Sequence, residues 1–553
     1  MVDEMDNSTP SQHTDSQHNT TLNNITASQP SQWSSITDSQ EINEPSDVSY
    51  DPTNDTDSDT QNHPKMTSVT DHDLSTTYLI YDTELVKLFK FCPDCGSQII
   101  HFKKNVTGTM LTIEYSCTYG HNNSWHAQPL IRHMPTANLL ASAAILLSGS
   151  TYSKINEFFS ILHIPFIGQS EFYQIQNTYL APAINDYWIT HQTAVLSVLL
   201  PDQLVLCGDA RSDSPGHSAK YTSYTIMDMQ TNLILDQQLM TVTETGSSVL
   251  MEKIALHRSL DFLLSTGIQI KTLATDRHPG VRTLLRQEYP EISHQFDVWH
   301  VAKNVGKKLH QKALKKNASD LMPWIHSVTN HLYWSTQTCN GDPNLLREKW
   351  TSCIHHIVNI HQWNGEQMVQ CEHETADDDD DTDWLTIDSD AHKALKSVVL
   401  DKQLLHDMDK LTDFCHTGQL EVYHSMLLKY VPKRQHFPYS GMLTRLQLSA
   451  LDHNYNTDNE TLKDSQGKEK VRQIFSKARK QWILRSIKEN KKYSYRDDLM
   501  HKIIERRRDS AVRMDDHSSR LAFPHLKPNI ATVDKPPLSL AIKDRYSRLH
   551  KQT

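Results

Sequence analysis

At 553 residues, with a formal charge of −11 and an apolar fraction of 37%, the chain is long enough for several domains and a large buried core. The longest apolar stretch, 137–147, is too short to cross a bilayer, and the first ten residues are acidic without an apolar core. Neither a membrane span nor a secretory leader is expected, so close cysteine pairs point to metal rather than to disulfides.

The charge is unevenly spread. Residues 1–75, rich in Ser, Thr, Gln, Asn and Asp, carry fourteen acids against one Lys and read as a disordered acidic tail. Ala376–Asp390 carries eight Asp, inside an acidic loop over 372–390. Setting both stretches aside turns −11 into +10, so the rest of the chain is basic and a polyanion is the expected partner.

In chain order, the first candidate module spans 85–130. Cys92-Pro93-Asp94-Cys95-Gly96 puts two thiols on one turn, and Cys117 and His121 follow a strand-like Met110–Tyr115. Two Cys on one hairpin with a Cys and a His on another form a closed tetrahedral set, which suits structural Zn2+ rather than a catalytic ion. His126 is an alternative to His121. Residues 135–182 read as three helices, 137–147, 151–162 and 170–180, joined by Ser148-Gly149 and Pro165–Gly168. That segment suits a helix-turn-helix reader of DNA and a helical prop equally.

From 200 to 435 the pattern is α/β. Leu204-Val205-Leu206-Cys207 reads as a buried strand, Gly208 permits close approach, and Asp209 stands at the strand's end. Pro215-Gly216 turns the chain into two further strands, Lys220–Asp228 and Leu233–Val242, and a helix over Ser247–Ser265. Leu273-Ala274-Thr275 is the next strand, with Asp276 just past it, and a helix bearing Val281, Leu284 and Leu285 is stopped by Tyr289-Pro290. A last strand reaches Phe296-Asp297. Acids just past strand ends lie where open α/β sheets bind ligands, although one alone also serves as a helix cap. Helices follow over about 301–415, with Trp324, Trp334, Trp350 and Trp363 at helical spacing as core rather than base-stacking residues. Glu421 then opens a helix whose Leu420, Met426, Leu427 and Val431 face inward. Residues 440–553 are expected to form a basic helical region, with seventeen Lys/Arg against seven acids over 463–513 and Tyr493 and Tyr495 interleaved. Arg506-Arg507-Arg508 is also of the type read as a nuclear import signal.

Four blocks in order carry a resemblance: Asp209 with Gly216-His217, Thr275-Asp276-Arg277-His278, Asp297-x-x-His300, and Glu421-x-x-His424-x-x-Leu427-Leu428-Lys429 trailed by Lys433-Arg434. Over roughly residues 91–454 the chain resembles DDE-type transposases of the bacterial insertion-sequence class and a group of animal transposase-like proteins. Its element order, β-β-β-α-β-α-β, resembles that of the RNase H fold, with a helical insertion before the last helix. The resemblance implies an α/β fold with a mixed sheet and an enzyme that cuts and joins DNA. It also implies two Mg2+ (or Mn2+) ions about 4 Å apart, held by Asp209, Asp276 and Glu421 with Asp209 bridging. Asp213 is the rival for Asp209. Asp297 and His300 are then second to the ligands or structural, with His300 a candidate contact to a DNA end. His217 and His278 position water or phosphate, or pack as neutral rings. Where the bacterial pattern has Asn, this chain has His424, whose role stays open. Lys429, Lys433 and Arg434, extended by Lys477, Arg479 and Lys480, are the expected phosphate contacts to double-stranded DNA. A homodimer or larger assembly on DNA and a nuclear location are implied as well. The rival reading is a zinc-finger DNA-binding or regulatory protein that keeps the fold without the chemistry, and a third is a nuclease without strand transfer.

Overall fold

The computed structural model describes residues 76–214, 219–373, 383–476 and 481–523, with 526, 531 and 533–539. The acidic tail, Gly216 and His217, positions 374–382 of the acidic loop, and Lys477, Arg479 and Lys480 lie outside the described residues.

A short helix α1 (Asp82–Leu85) precedes a three-stranded antiparallel sheet of β1 (Ile99–Thr107), β2 (Met110–Cys117) and β3 (Asn122–His126). Its small core is Leu85, Ile113 and Tyr115, too little apolar surface for much stability of its own. The strand pair β4 (Leu130–Ile131) and β5 (Met134–Pro135) leads into helices α2 (Thr136–Leu147), α3 (Tyr152–Ile161) and α4 (Gln169–Ile175). The third helix does not stop near residue 180 as expected. A π-helical turn, Gln176–Leu180, joins α4 to α5 (Ala181–Leu199), which carries Pro182 at its start. A widened turn of this kind lets a helix run past a proline ring that would clash with a regular preceding turn.

The central sheet has five strands: β6 (Gln203–Ser212), β7 (Tyr221–Asp228), β8 (Ile234–Thr241), β9 (Gln269–Thr275) and β10 (Ser293–Phe296), in the spatial order β10-β9-β6-β7-β8. β6, β7 and β8 form an antiparallel meander, while β9 and β10 run parallel to β6, so the sheet is mixed. Between β8 and β10 come α6 (Val242–Thr245), α7 (Ser248–Ser265) and α8 (Pro279–Glu288). Side chains of a strand alternate between faces, and both faces here are covered. Leu206, Tyr224, Ile226 and Leu273 pack against Met251, Leu256 and Leu260 of α7 and Leu284 of α8. Cys207, Met227 and Ala274, one residue on, join the core on the opposite face together with Ile234 of β8.

A helical segment with its own core follows: α9 (Val298–Ala313), α10 (Ile325–Thr338), α11 (Pro343–His356), α12 (Asp390–Val399) and α13 (Lys402–Asp407). Trp324 and Trp350 are buried in that core, as expected, while Trp334 and Trp363 are half-buried and stack on His331 and His355. The chain then returns to the sheet with α14 (Gly418–Leu427) and α15 (Tyr439–Asn454).

The C-terminal stretch differs from a continuous basic helix. β11 (Val471–Ser476) and β12 (Gln481–Ser486) form an antiparallel hairpin, and α16 (Ser494–Arg508) comes after it. The sequences VRQIFS and QWILRS carry β-branched and aromatic residues, Val471, Ile474, Phe475, Trp482 and Ile483, a strand-type composition that the density of basic residues masked. α16 buries Tyr495, Leu499, Ile503 and Ile504 in the core shared by α2, α5, α14 and α15. The segment 135–182 contributes Leu139, Leu146, Phe172 and Tyr179 to that same core, which fits the prop rather than a free DNA reader.

Candidate active site

The parallel register of β6 and β9 sets the site. Cys207 pairs with Ala274, so Asp209 and Asp276, each two residues further on, stand side by side where the β6–β9 pairing ends; β6 itself continues to Ser212 against β7, so Asp209 lies within the strand rather than at its end as expected. Asp276 shows this proximity electrically: burial pushes its carboxyl up, and the negative charge of Asp209 pushes it further. Glu421 lies in the first turn of α14. One turn along, His424 places Nδ1 3.4 Å from Asp209 Oδ2, which ties that helix to β6.

His300 links the remaining parts. Its Nδ1 is 2.6 Å from Asp297 Oδ2, and its Nε2 is 3.7 Å from Glu421 Oε1. Burial works to lower the His300 pKa, but the bond to Asp297 and the charges of Asp297, Asp209 and Glu421 outweigh it and leave the ring raised. Asp297 is buried and caps α9 through Trp299 N; it also accepts from Thr417 Oγ1, and its own N donates to Thr275 O. One residue thus joins the end of β9 through its backbone, and the start of α9 and the entry to α14 through its carboxylate. Asp297 serves as this structural joint, and His300 is the group it aims at Glu421.

Two residues escaped the sequence reading. Glu252 of α7 approaches the same end of the sheet, and its carboxyl is pushed up to about 8 by burial, then by the charges of Asp276 and Asp209. The signal was present: Glu252 shares a helix face with the buried Ala255, Leu256 and Ser259, where an acid is out of place unless it has a task. Tyr224 of β7 lies beside Glu252, Asp209 and Asp276, and burial first, then their charges, raise its hydroxyl. His278 donates its backbone N to Asp276 Oδ1 at 3.0 Å, and its Nδ1 lies 3.9 Å from Glu252 Oε1.

Asp213, the rival for Asp209, has another role. It is buried, accepts from Lys220 N, faces His436 Nδ1 at 2.9 Å, and receives Arg434 N on its backbone carbonyl. It is a loop anchor. Lys429 likewise points inward, with Nζ 2.9 Å from Oδ2 of the buried Asp452, and is no open phosphate contact. Lys433 and Arg434 are exposed. Arg506 donates to Thr178 O and Ser519 O, and Arg507 to Ile131 O, Arg132 O and Tyr179 Oη, so two residues of the basic triplet hold the core together.

The Cys/His module is a second centre. The ligand atoms of Cys92, Cys95, Cys117 and His121 all lie within 4.8 Å of one another and could hold a structural metal such as zinc. Zinc bond lengths at tetrahedral angles give S–S edges of about 3.8 Å and N–S edges of about 3.6 Å. Cys95 Sγ to Cys117 Sγ is 3.7 Å and Cys92 Sγ to His121 Nδ1 is 3.8 Å. Gly96 and Gly120, at φ of 71° and 86°, close the two turns that present them. His126 bonds Thr112 from β3 and is not part of the set.

No family model matches the chain and no curated protein matches it. Among solved structures it is similar to the Drosophila P element transposase strand transfer complex, at 11% identity and a TM-score of 0.24, over 58% of this chain and 92% of that one. A superposition of that quality does not define a shared fold. Among the described residues no helix is long and apolar enough to cross a membrane.

Proposed function

We propose that the protein is a DDE-type transposase: a metal-dependent enzyme with an RNase H-like catalytic core that cuts double-stranded DNA at element ends and joins them to a target. The observation that carries this reading is the gathering of Asp209, Asp276 and Glu252 beside one another, with Glu421 tied to them through His300 and His424. Asp276, raised by burial and by the charge of Asp209, is the kind of carboxyl a divalent cation relieves, and an all-oxygen donor set of three carboxylates fits Mg2+. Asp209, Asp276 and Glu421 would hold it. When bound, the metal would supply an activated water or 3′-hydroxyl and neutralise the leaving oxygen. His300, oriented by Asp297, stands beside Glu421 and is positioned to bind a phosphate oxygen. His424 restrains the Asp209 carboxylate from the α14 side.

DNA as partner is supported by the basic character of the chain outside its acidic stretches and by exposed cations near the site, Lys433 and Arg434. The β11–β12 hairpin adds a ribbon on which Arg472 faces Arg485 and Phe475 and Trp482 stand exposed, a surface suited to phosphates and bases. Assembly on DNA as a dimer or larger, and work in the nucleus, belong to the same proposal.

The test is incubation of the full chain with Mg2+ and labelled duplexes carrying the repeats that flank its own coding region. Wild type is expected to nick and join them. Asp209→Asn, Asp276→Asn and Glu421→Gln should each abolish cutting while DNA affinity stays within about threefold, because phosphate contacts come from the cations. Binding without cutting by wild type would instead identify a DNA-binding protein that has lost the chemistry, and cutting without joining a nuclease.

A further inference from the structure

The helical segment between α9 and α14 holds a cluster that the acid site does not use. His356 ends α11, His361 and Cys371 lie on the loop after it, and His373 follows. Their four ligand atoms lie within 4.8 Å of one another. Cys371 Sγ is 3.4 Å and His373 Nε2 3.3 Å from His356 Nδ1. The three imidazoles stand mutually edge-on, each pair of centroids 5.1 Å apart at 83° to 88°. Zinc–nitrogen and zinc–sulfur bonds at tetrahedral angles require N–N edges of about 3.3 Å and N–S edges of about 3.6 Å.

A purely hydrogen-bonded cluster accounts for this less well. His361 Nε2 lies 2.9 Å from Asn359 Oδ1, which places its proton there and leaves the lone pair on Nδ1. That Nδ1 is buried and has no hydrogen-bond partner among the described residues. The backbone is built to present the set: Cys371 N donates to His361 O and Trp363 N to Val369 O, so a narrow ladder brings Cys371 back beside His361. Trp384 closes the outer side against His356 and His361, its ring centroid 5.4 Å and 5.7 Å from theirs.

We propose that His356, His361, Cys371 and His373 bind a second structural zinc ion, which clips the loop after α11 onto the core of the helical segment. Three histidines and one cysteine close the shell, leaving no position for substrate. A tetrahedral set of three imidazole nitrogens and one thiolate selects zinc over harder divalent ions.

The experiment is metal analysis of the full chain purified without chelator and of its variants. Wild type should contain two zinc ions per chain, Cys95→Ser one, Cys371→Ser one, and the double variant Cys95→Ser with Cys371→Ser none. Where a variant folds poorly, Co2+ titration of the Cys95→Ser protein reads the second site alone. A tetrahedral spectrum with single-thiolate charge transfer is expected, shifted in intensity but retained by His373→Cys. One zinc in wild type that Cys371→Ser leaves in place, or no tetrahedral Co2+ signal in Cys95→Ser, overturns the proposal.

Discussion

At Gly208 a Cβ would sit 2.7 Å from Tyr224 Oη and 2.8 Å from its Cε1, immediately before Asp209 in β6. The strand therefore needs glycine at this point for a steric reason, since real Cβ atoms do not approach so closely. Gly208→Ala should destabilise by about 1–3 kcal/mol in urea titration, as overpacked cores do. Adding Tyr224→Phe should recover only part of that, because Cε1 remains in the way. Full recovery would show that the hydroxyl alone is the obstacle. A second residue-scale consequence concerns acid. His294, on β10, bonds Thr275 Oγ1 at 2.9 Å, and burial first, then the charges of Lys410 and Arg282, hold its ring down at about 4. An unfolded histidine titrates near about 6.5. Above that pH neither state is protonated and the contribution is complete; as pH falls from there through about 4, the unfolded chain takes a proton the folded one refuses, and stability is lost. His294→Gln should make the fall in melting temperature over that window shallower than in wild type. An unchanged slope would mean the ring is not held neutral.

Among the elements, α14 and its neighbours decide which cations serve the fold and which are free for DNA. Asp452 on α15 is buried with Lys429 Nζ at 2.9 Å, Lys491 Nζ at 3.3 Å and Tyr430 Oη at 2.8 Å. Removing one partner of a buried pair costs about 3–5 kcal/mol, and half-exposed Lys491 would soften this for Lys429. Lys429→Ala should therefore lower the denaturation midpoint, whereas Lys433→Ala should leave it unchanged and reduce the salt slope of DNA binding by about one. A salt-slope change from Lys429→Ala at full stability would reverse that assignment. Elements of this kind mark the limit of legibility. β6 and β9 could be read because apolar runs led into acids, and the helix at Glu421 from its inward-facing Leu420, Met426, Leu427 and Val431. The same reading took Lys429 for a surface cation, because its buried partner lies 23 residues away on another helix. It stopped a helix at residue 180 because a π turn leaves no compositional trace. Asp209 lies within β6 and Asp213 just past its end, four positions on, and only the loop carrying Arg434 and His436 separates their roles. Glu252 was legible in principle, as an acid on an apolar helix face, but invisible to motif spacing.

Across the whole molecule, the core on the α14 side of the sheet is assembled from distant parts of the chain, with Leu139 and Tyr179 meeting Leu446 and Ile503. The last helix is thus a structural closure as well as a basic one. Ending the chain at residue 490 would expose the sites of four buried side chains, Tyr495, Leu499, Ile503 and Ile504. Each such side chain contributes about 1.5–3 kcal/mol, so this truncation should give an insoluble or non-cooperatively melting protein. A soluble truncated chain with the wild-type melting temperature would contradict that account. Residues 1–75 have a composition with little apolar surface to bury, and their deletion should leave the melting temperature unchanged.

The claim on which the functional reading turns is that Asp209, Asp276 and Glu421 share a divalent cation. Crystals of the full chain soaked in Mn2+ report this through anomalous scattering at the metal. One or two peaks are expected bounded by these three carboxylates, absent in Asp209→Asn crystals grown and soaked in the same way. Peaks confined to the Cys/His clusters, with none between the three acids, would contradict the account.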